Sequence, residues 1–573
     1  MDPMPQSNLD GYLAAFADPN APFLSYYSFA SDGTIRTEVF TRGQFLCLAR
    51  QAGGCLQAQG CQPGDRILHA MSRNHYADLA FRLGAVMLGA VPVTVNWQAD
   101  TAERVLYKIS ATQPTLLLND RGFDPEILAA CGREHPNLPI IQVEDLPESP
   151  ALAEEQFFHN EDPEQSRIII FTSGTTGLPK GVQLPYRSYV ANRATFEKLL
   201  DIRPDDRFAA VVVNPLHHTN STAITDWAMR RPGSRLHLIE RYSTGYWRIL
   251  ADTAGQGYDR IVAPTVSRHF DFLAELHETD RLCVPMDVLG PAMGQIDFLI
   301  GSAPVGPTTI RRLQEFAGHI PTVRFGSTET CLQVLGIPRQ LDEASRLACF
   351  QRGWNHTWRD EPTCGYYIGR PTPPLTECRI VSSITRGELG FLVDRQDGEP
   401  GYLITRGRNV MSGYVGDSEA TIAVLPEGWY TGLRDVAFRL RNIEDGEWDY
   451  YWMSRDSALL IRGGANYAYD QINGELAEFL ANCYELDTVN FDIAVVGLRL
   501  DSEHEDTCCV TLEMKESVPQ TVQDAIAATF VDKARGNVSK SAKPDRLLLA
   551  PVLRNFKGAI LVGELKKQFL DAL

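Results

Sequence analysis

The stretch from Ile168 to Val182, IIIFTSGTTGLPKGV, concentrates more chemistry than any other part of the chain. An apolar strand runs into a loop of Thr, Ser and Gly that ends at Lys180. Glycines let backbone amides approach an anion closely, hydroxyls and amides donate hydrogen bonds to it, and the lysine adds positive charge. Such a loop suits a phosphate. It differs from a Walker A loop, which needs G-x-x-x-x-G-K followed by Ser or Thr, because Leu178 and Pro179 separate Gly177 from Lys180.

This stretch closely resembles the phosphate-binding signature of the adenylate-forming superfamily, which contains acyl- and aryl-CoA synthetases, peptide-synthetase adenylation domains and beetle luciferases. Further segments resemble that family's motifs in the same order. They are NPLHHTN (214 to 220), GSAPV (301 to 305), FGSTET (325 to 330), YYIGRPTPP (366 to 374), GYLITRGRNVMSGY (401 to 414) and GWYTGLRDVAF (428 to 438). The resemblance covers nearly the whole chain, from about Phe40 to the C-terminus.

The resemblance implies a reaction in two steps, with ATP, Mg2+ and CoA as cofactors or co-substrates. A carboxylate attacks the α-phosphate of ATP, giving an acyl-adenylate and pyrophosphate, and a thiol then displaces AMP. It implies that Thr172, Ser173, Gly174, Thr175, Thr176, Gly177 and Lys180 cradle the phosphates, and that Ser302, Ala303, Pro304, Phe325, Gly326 and Ser327 also contact the nucleotide. Phe325 offers a flat face for adenine, although a phenylalanine there could equally be core. Thr328 donates its hydroxyl to a phosphate oxygen. Glu329, with Thr172, becomes the magnesium ligand, its hard oxygen suited to a hard cation. Asp435 and Arg455 are implied at the ribose. Gly463 and Gly464, in IRGGAN, would pass beside a narrow thiol channel where a Cβ would block the way. His218 either gates the acyl tunnel, orients the carboxylate, or is a satisfied core histidine.

Three departures mark this chain within the pattern. The ribose aspartate usually follows Thr-Gly directly, yet Leu433 and Arg434 separate Thr431-Gly432 from Asp435, so a shifted loop is expected. The histidine usual after the phosphate loop is Tyr186. Near the C-terminus, RNFKGAI has Ala559 where a lysine is usual and Lys557 two residues earlier; residues two apart in an extended segment share a face, so Lys557 is the expected catalytic lysine. Lys566 and Lys567 read as a solvated helix face.

The elements that must carry these residues are legible from patterning. Helix and strand alternate through the first 300 residues, with strands at TLLLN, PIIQV, RIIIFT, FAAVVV, RLHLIE, RIVAP and DFLI, which argues for α/β layers with buried sheets. Beyond Glu377 short strands follow one another, as a β-rich subdomain. From Asp456 a small α+β unit begins. The division expected is an N-terminal adenylation domain, residues 1–455, that binds ATP and the carboxylate, and a mobile C-terminal lid, residues 456–573.

Composition narrows the function classes. The chain has 573 residues, 54 basic against 72 acidic, a net charge of −18, which disfavours nucleic acid as a partner. Its 12 cysteines form no pair of C-x-x-C knuckles and no secreted framework, and no basic residue precedes Arg36, so a reducing cytoplasm without export is expected. Leu83 to Ala99 is too short and too broken by glycine and proline to span a membrane and reads as a buried helix running into a strand. The function expected is a carboxylate–CoA ligase acting on a small-molecule acid. The alternatives are transfer of the acyl group to an amine or carrier-protein thiol, and a nucleotide-binding regulator without catalysis.

Overall fold

The computed structural model describes residues 7–172, 179–301, 305–358, 361–362, 365–455, 459–462, 465–554 and 560–573. Two largely parallel sheets carry the first part of the chain. One has eight strands, in the spatial order Leu335–Gly336, Thr322–Phe325, Ile296–Ile300, Arg260–Thr265, Phe208–Val212, Arg235–Ile239, Pro22–Phe29 and Ile35–Thr41, with antiparallel pairs at both edges. The other has seven, in the order Gly413–Tyr414, Lys180–Pro185, Ser166–Thr172, Val91–Thr94, Arg66–Ala70, Leu116–Asn119 and Ile140–Gln142. Their inner strands are apolar because helices cover both faces.

Local sequence explains the helices between them. Arg42–Ala58 starts at Thr41, whose hydroxyl accepts from the Gln44 amide while the Gln44 side chain returns to the Thr41 amide. Tyr76–Leu88 is buried on nearly every side, which is why its sequence lacks a polar stripe, and it ends at Gly89 with φ of +71°. A Cβ on Gly89 would lie 2.3 Å from the Phe158 ring, so glycine is needed there on two counts.

The β-rich part is a five-stranded antiparallel sheet in the order Tyr366–Gly369, Trp448–Arg455, Asp435–Arg441, Gly401–Gly407 and Thr376–Val381. It begins at Tyr366, earlier than the texture change near Glu377. The reason is that YYIG, read in sequence as part of a motif, is an edge strand paired with residues more than eighty positions later. The C-terminal α+β part has its own core: Leu460, Ile472, Leu476 and Leu480 pack with Val495, Val510, Ile526, Phe530 and Phe569 around the strands Phe491–Leu498, Thr507–Met514 and Arg546–Leu549. Its 498–506 turn touches the first part, where His504 Nε2 lies 2.5 Å from Asp271 Oδ2 and the Arg499 guanidinium lies 5.5 Å from the Tyr366 ring centroid. Among the described residues no helix is long and apolar enough to cross a membrane.

Three deeply buried imidazoles give the fold an acid-side limit. Burial depresses His75 and His269 to about 4 and His237 to about 3, the last aided by Arg235. In the unfolded chain each titrates near its ordinary value of about 6.5. Above that pH both states are neutral. Below it the unfolded chain takes up protons that the folded chain refuses, so stability falls by up to about 1.4 kcal/mol per pH unit for each imidazole. Thermal unfolding is therefore expected to shift to lower temperature between pH 7 and pH 5. His269→Phe, at a site where burial is the sole cause of the shift, should flatten that slope; a flat wild-type profile would contradict the assignment.

Candidate active site

The strands that flank the phosphate-type loop pair with each other. Thr172, the last residue of Ser166–Thr172, and Lys180, the first of Lys180–Pro185, face each other in antiparallel register. Residues Ser173, Gly174, Thr175, Thr176 and Gly177, between them, lie outside the described residues, as do Ser302, Ala303, Pro304, Gly463, Gly464 and Lys557.

Beside the paired strands, Gly413–Tyr414 adds a short strand by pairing with Val182 and Gln183. This brings the Tyr414 ring under Lys180, whose Nζ lies 5.0 Å from the ring centroid. The Tyr414 hydroxyl donates to Glu329 Oε1 at 3.2 Å. Burial, and then the Glu329 carboxylate, push the Tyr414 hydroxyl far above its ordinary pKa, so it remains a donor. Lys180 thus lies over the ring and Glu329 at its hydroxyl, a cation and a carboxylate on one aromatic side chain.

The segment that presents Glu329 is a tight turn. Ser327 precedes the 3₁₀ turn Thr328–Thr330, and its amide donates to Thr330 Oγ1 at 2.9 Å. Gly326 has no substitute here, because a Cβ would lie 2.1 Å from the Leu332 carbonyl oxygen. Met411 donates its amide to the Glu329 carbonyl at 2.7 Å, and Asn409 donates to the carbonyls of Thr330 and Gln333. The GYLITRGRNVMSGY segment therefore buttresses FGSTET. Phe325 is half-buried and packs against the first core. Among the described residues no three metal-type side chains cluster.

Asp435 opens the strand Asp435–Arg441, in register opposite Arg455, whose side chain lies outside the described residues. The two intervening residues are absorbed by a turn in which Arg434 is left-handed, with φ of +53°. The carboxylate is 1% exposed, and Oδ1 accepts from the Trp452 indole at 2.8 Å. The indole therefore orients the carboxylate from the neighbouring strand.

His218 stands at the N-cap of the buried helix Thr219–Arg230, with its Nε2 3.2 Å from His217 Nε2. Burial, then Lys108, hold His218 at about 4, and the same causes with His218 itself hold His217 well below its usual value. Both rings are neutral near pH 7. Lys108 is buried and paired with Asp100. Arg82 donates to the Leu216 carbonyl, and Asn74 accepts from the Leu216 amide, which fixes the NPLHHTN turn.

The sequence profile of one protein family, described as AMP-binding enzyme, matches residues 14–415. The chain belongs to the AMP-binding enzyme family. It is 25% identical over 393 residues, 67% of each chain, to a 2-succinylbenzoate–CoA ligase of Bacillus mycoides. Among solved structures it resembles o-succinylbenzoate CoA synthetase from Bacillus subtilis, as a double mutant bound to a product analogue, with a TM-score of 0.74 over 98% of both chains at 19% identity. The same synthetase in complex with ATP and magnesium gives 0.62 over 98% of this chain and 99% of that one, at 20% identity. The fold is that of the family: α/β layers, a β-rich subdomain and a small α+β C-terminal part.

Three residues in this AMP-binding enzyme correct or extend the sequence reading. Tyr186 is buried below the Arg230 guanidinium, 5.6 Å from its ring centroid, so it belongs to a buried network with Arg167 and Tyr12. Lys566 is half-buried rather than solvated, because Leu565 and Phe569 draw its helix into the core; burial lowers its pKa while Asp506 raises it. Tyr414 went unnoticed inside its own motif, as nothing local distinguishes a tyrosine that meets residues 85 and more positions earlier.

Proposed function

We propose that the protein is an ATP-dependent carboxylate–CoA ligase that works through an acyl-adenylate. The observation that carries this reading is that Lys180 and Glu329 both meet Tyr414, beside the paired strands Ser166–Thr172 and Lys180–Pro185. Family membership and the names of the relatives support the same reading.

In the first step a carboxylate oxygen attacks the α-phosphorus and the bond to pyrophosphate breaks. Lys180 offsets negative charge on the phosphates, and Glu329, oriented by Tyr414, would hold magnesium together with Thr172. Magnesium, when bound, supplies Lewis-acid stabilisation of phosphate charge. In the second step the CoA sulfur attacks the acyl carbon, AMP leaves, and the thiol proton passes to solvent. The neutral His217 and His218 leave the acyl wall polar without adding charge.

The same proposal divides the chain into an adenylation domain, 1–455, and a mobile lid, 456–573. In its support, one synthetase matches this chain at 0.74 in one ligand state and 0.62 in another, over nearly the same coverage. A cytoplasmic location accords with the described cysteines, which are all unpaired. The test is a panel of carboxylic acids scored for pyrophosphate release, then for AMP release with and without CoA. AMP release that requires free CoA is expected. Release that requires an amine or carrier thiol would replace the acceptor, and ATP binding without pyrophosphate exchange would replace catalysis by a regulatory role.

A further inference from the structure

Among the described residues the buried arginines are, with one exception, partnered. Arg82 binds Asp78, Arg167 and Arg230 share Asp226, Arg231 meets Glu197, and Arg42 donates to the carbonyls of Ala15, Arg231 and Ser234. Arg324 is different. It is 4% exposed, its Nε and Nη2 are buried without a partner, and its guanidinium pairs with no carboxylate among the described residues. Burial alone lowers it to about 10, with no neighbouring charge to offset the cost. An uncompensated buried cation is expensive to keep, and folds retain one where something else supplies the anion.

Its position says where that anion would lie. Val323 and Ile300 are register partners, as are Thr322 and Leu299, in adjacent parallel strands. Arg324 follows Val323 and lies against Gly301, the first residue of GSAPV; a Cβ built on Gly301 would be 3.0 Å from Nη1 and 3.2 Å from Cζ. Glycine at 301 thus leaves the space that the guanidinium fills. Arg324 shares a strand face with Thr322, and Leu299 opposite Thr322 packs in the same core as Ala223 and Ile224 of the helix Thr219–Arg230. The guanidinium therefore projects from the sheet face that belongs to the first core, beside Gly301 and directly before FGSTET. The groups around the expected acyl tunnel do not supply such a cation, since His217 and His218 are neutral and Lys108 is already bound to Asp100.

We propose that Arg324 is a specificity residue that pairs with a second anionic group on the acid, so that the substrate class is a dianionic acid bearing a second carboxylate or a sulfonate. The inference rests on the ligase reading. The first carboxylate reacts at phosphorus; the second, held by Arg324 in a bidentate pair, stays unchanged through both steps.

The test sets malonate, succinate, glutarate and the benzenedicarboxylates each against its own monoamide, with wild type, Arg324→Met and Arg324→Lys. Wild type is expected to favour a dianion over its monoamide by at least about 10²-fold in kcat/KM for pyrophosphate release, the scale set by truncating one partner of a buried charge pair. Arg324→Met should abolish that preference and Arg324→Lys should keep part of it. Without ligand, Arg324→Met should unfold at the same or a higher temperature, because it removes an unpaired buried charge, and the extra thermal stabilisation that a dianion gives wild type should vanish. A structural arginine would instead destabilise when replaced. Equal loss on acids and monoamides in Arg324→Met would assign Arg324 to the reacting carboxylate and overturn the proposal. So would a wild-type preference for monoamides, or a thermal shift that no dianion produces beyond its monoamide. Turnover of monoacids with CoA alongside any of these results would leave the ligase reading standing, whereas dianion-specific stabilisation without pyrophosphate release would overturn that reading and keep the anion site.

Discussion

Glu329→Gln is expected to lower acid-dependent pyrophosphate release by at least about 10²-fold, the scale seen when one electrostatic stabiliser of a transition state is removed. The substitution keeps the shape of the side chain and an oxygen that can accept from Tyr414, so the 327–330 turn should hold and the melting temperature should stay close to wild type. What is lost is anionic charge. Magnesium demands hard, negatively charged oxygens, and glutamine offers only a neutral one. Tyr414→Phe is the graded companion: it leaves the Glu329 charge and removes only the hydroxyl that orients it, a hydrogen bond to a charged group worth about tenfold in rate. The two variants should therefore rank in that order, both with a raised magnesium requirement. Wild-type exchange in Glu329→Gln would sink the magnesium role, and a larger loss in Tyr414→Phe than in Glu329→Gln would shift the chemistry to the tyrosine.

What could be read from the sequence was set by local pattern. The strands RIIIFT, FAAVVV and DFLI appear where their apolar runs place them, and Leu83 to Ala99 does run from a buried helix into the strand Val91–Thr94. The cap at Thr41 is local in the same sense, since Thr41 and Gln44 are three residues apart. Pairings between distant segments escaped. Tyr366–Gly369 becomes a strand only because Trp448–Arg455 lies beside it, and Tyr414 reaches Glu329 only because its strand pairs with Lys180–Pro185. Asp435 illustrates the limit from the other side: a carboxylate near Thr431-Gly432 was legible, but the indole of Trp452 that occupies Oδ1 comes from the neighbouring strand. Arg324 did leave a local signal, a lone charge in the strand TVRF between apolar neighbours and directly before FGSTET. A charge in such a place has to be paired, and only the fold reveals that the protein itself pairs it with no carboxylate among the described residues.

Lys557→Ala is expected to slow the first half-reaction by about 10²-fold or more and to leave the second nearly unchanged. Adenylation moves negative charge onto the bridging and α-phosphate oxygens, and a cation delivered into a site from which water is largely excluded stabilises that charge more strongly than it would in solvent. Thioester formation instead breaks the acyl–oxygen bond and leaves its new negative charge on the departing AMP phosphate, away from the pyrophosphate bridge that Lys557 is proposed to serve. Both ends of the segment around Lys557 are anchored: Arg554 makes two 2.8 Å hydrogen bonds to the Asp492 carboxylate, Arg554 and Ile560 bridge, and the Leu561 amide donates to the Leu553 carbonyl at 2.9 Å. An alanine at 557 disturbs none of these contacts, so a lost rate can be assigned to the missing charge. The rival lysines are poorly suited, because Lys566 is half-buried against the C-terminal core near Asp506 and Lys567 faces solvent. Single-turnover kinetics separate the steps, once from acid plus ATP and once from a chemically supplied acyl-adenylate plus CoA. Wild-type rates from acid plus ATP would remove Lys557 from the mechanism, and equal slowing of both halves would make it a residue of lid placement instead of charge stabilisation.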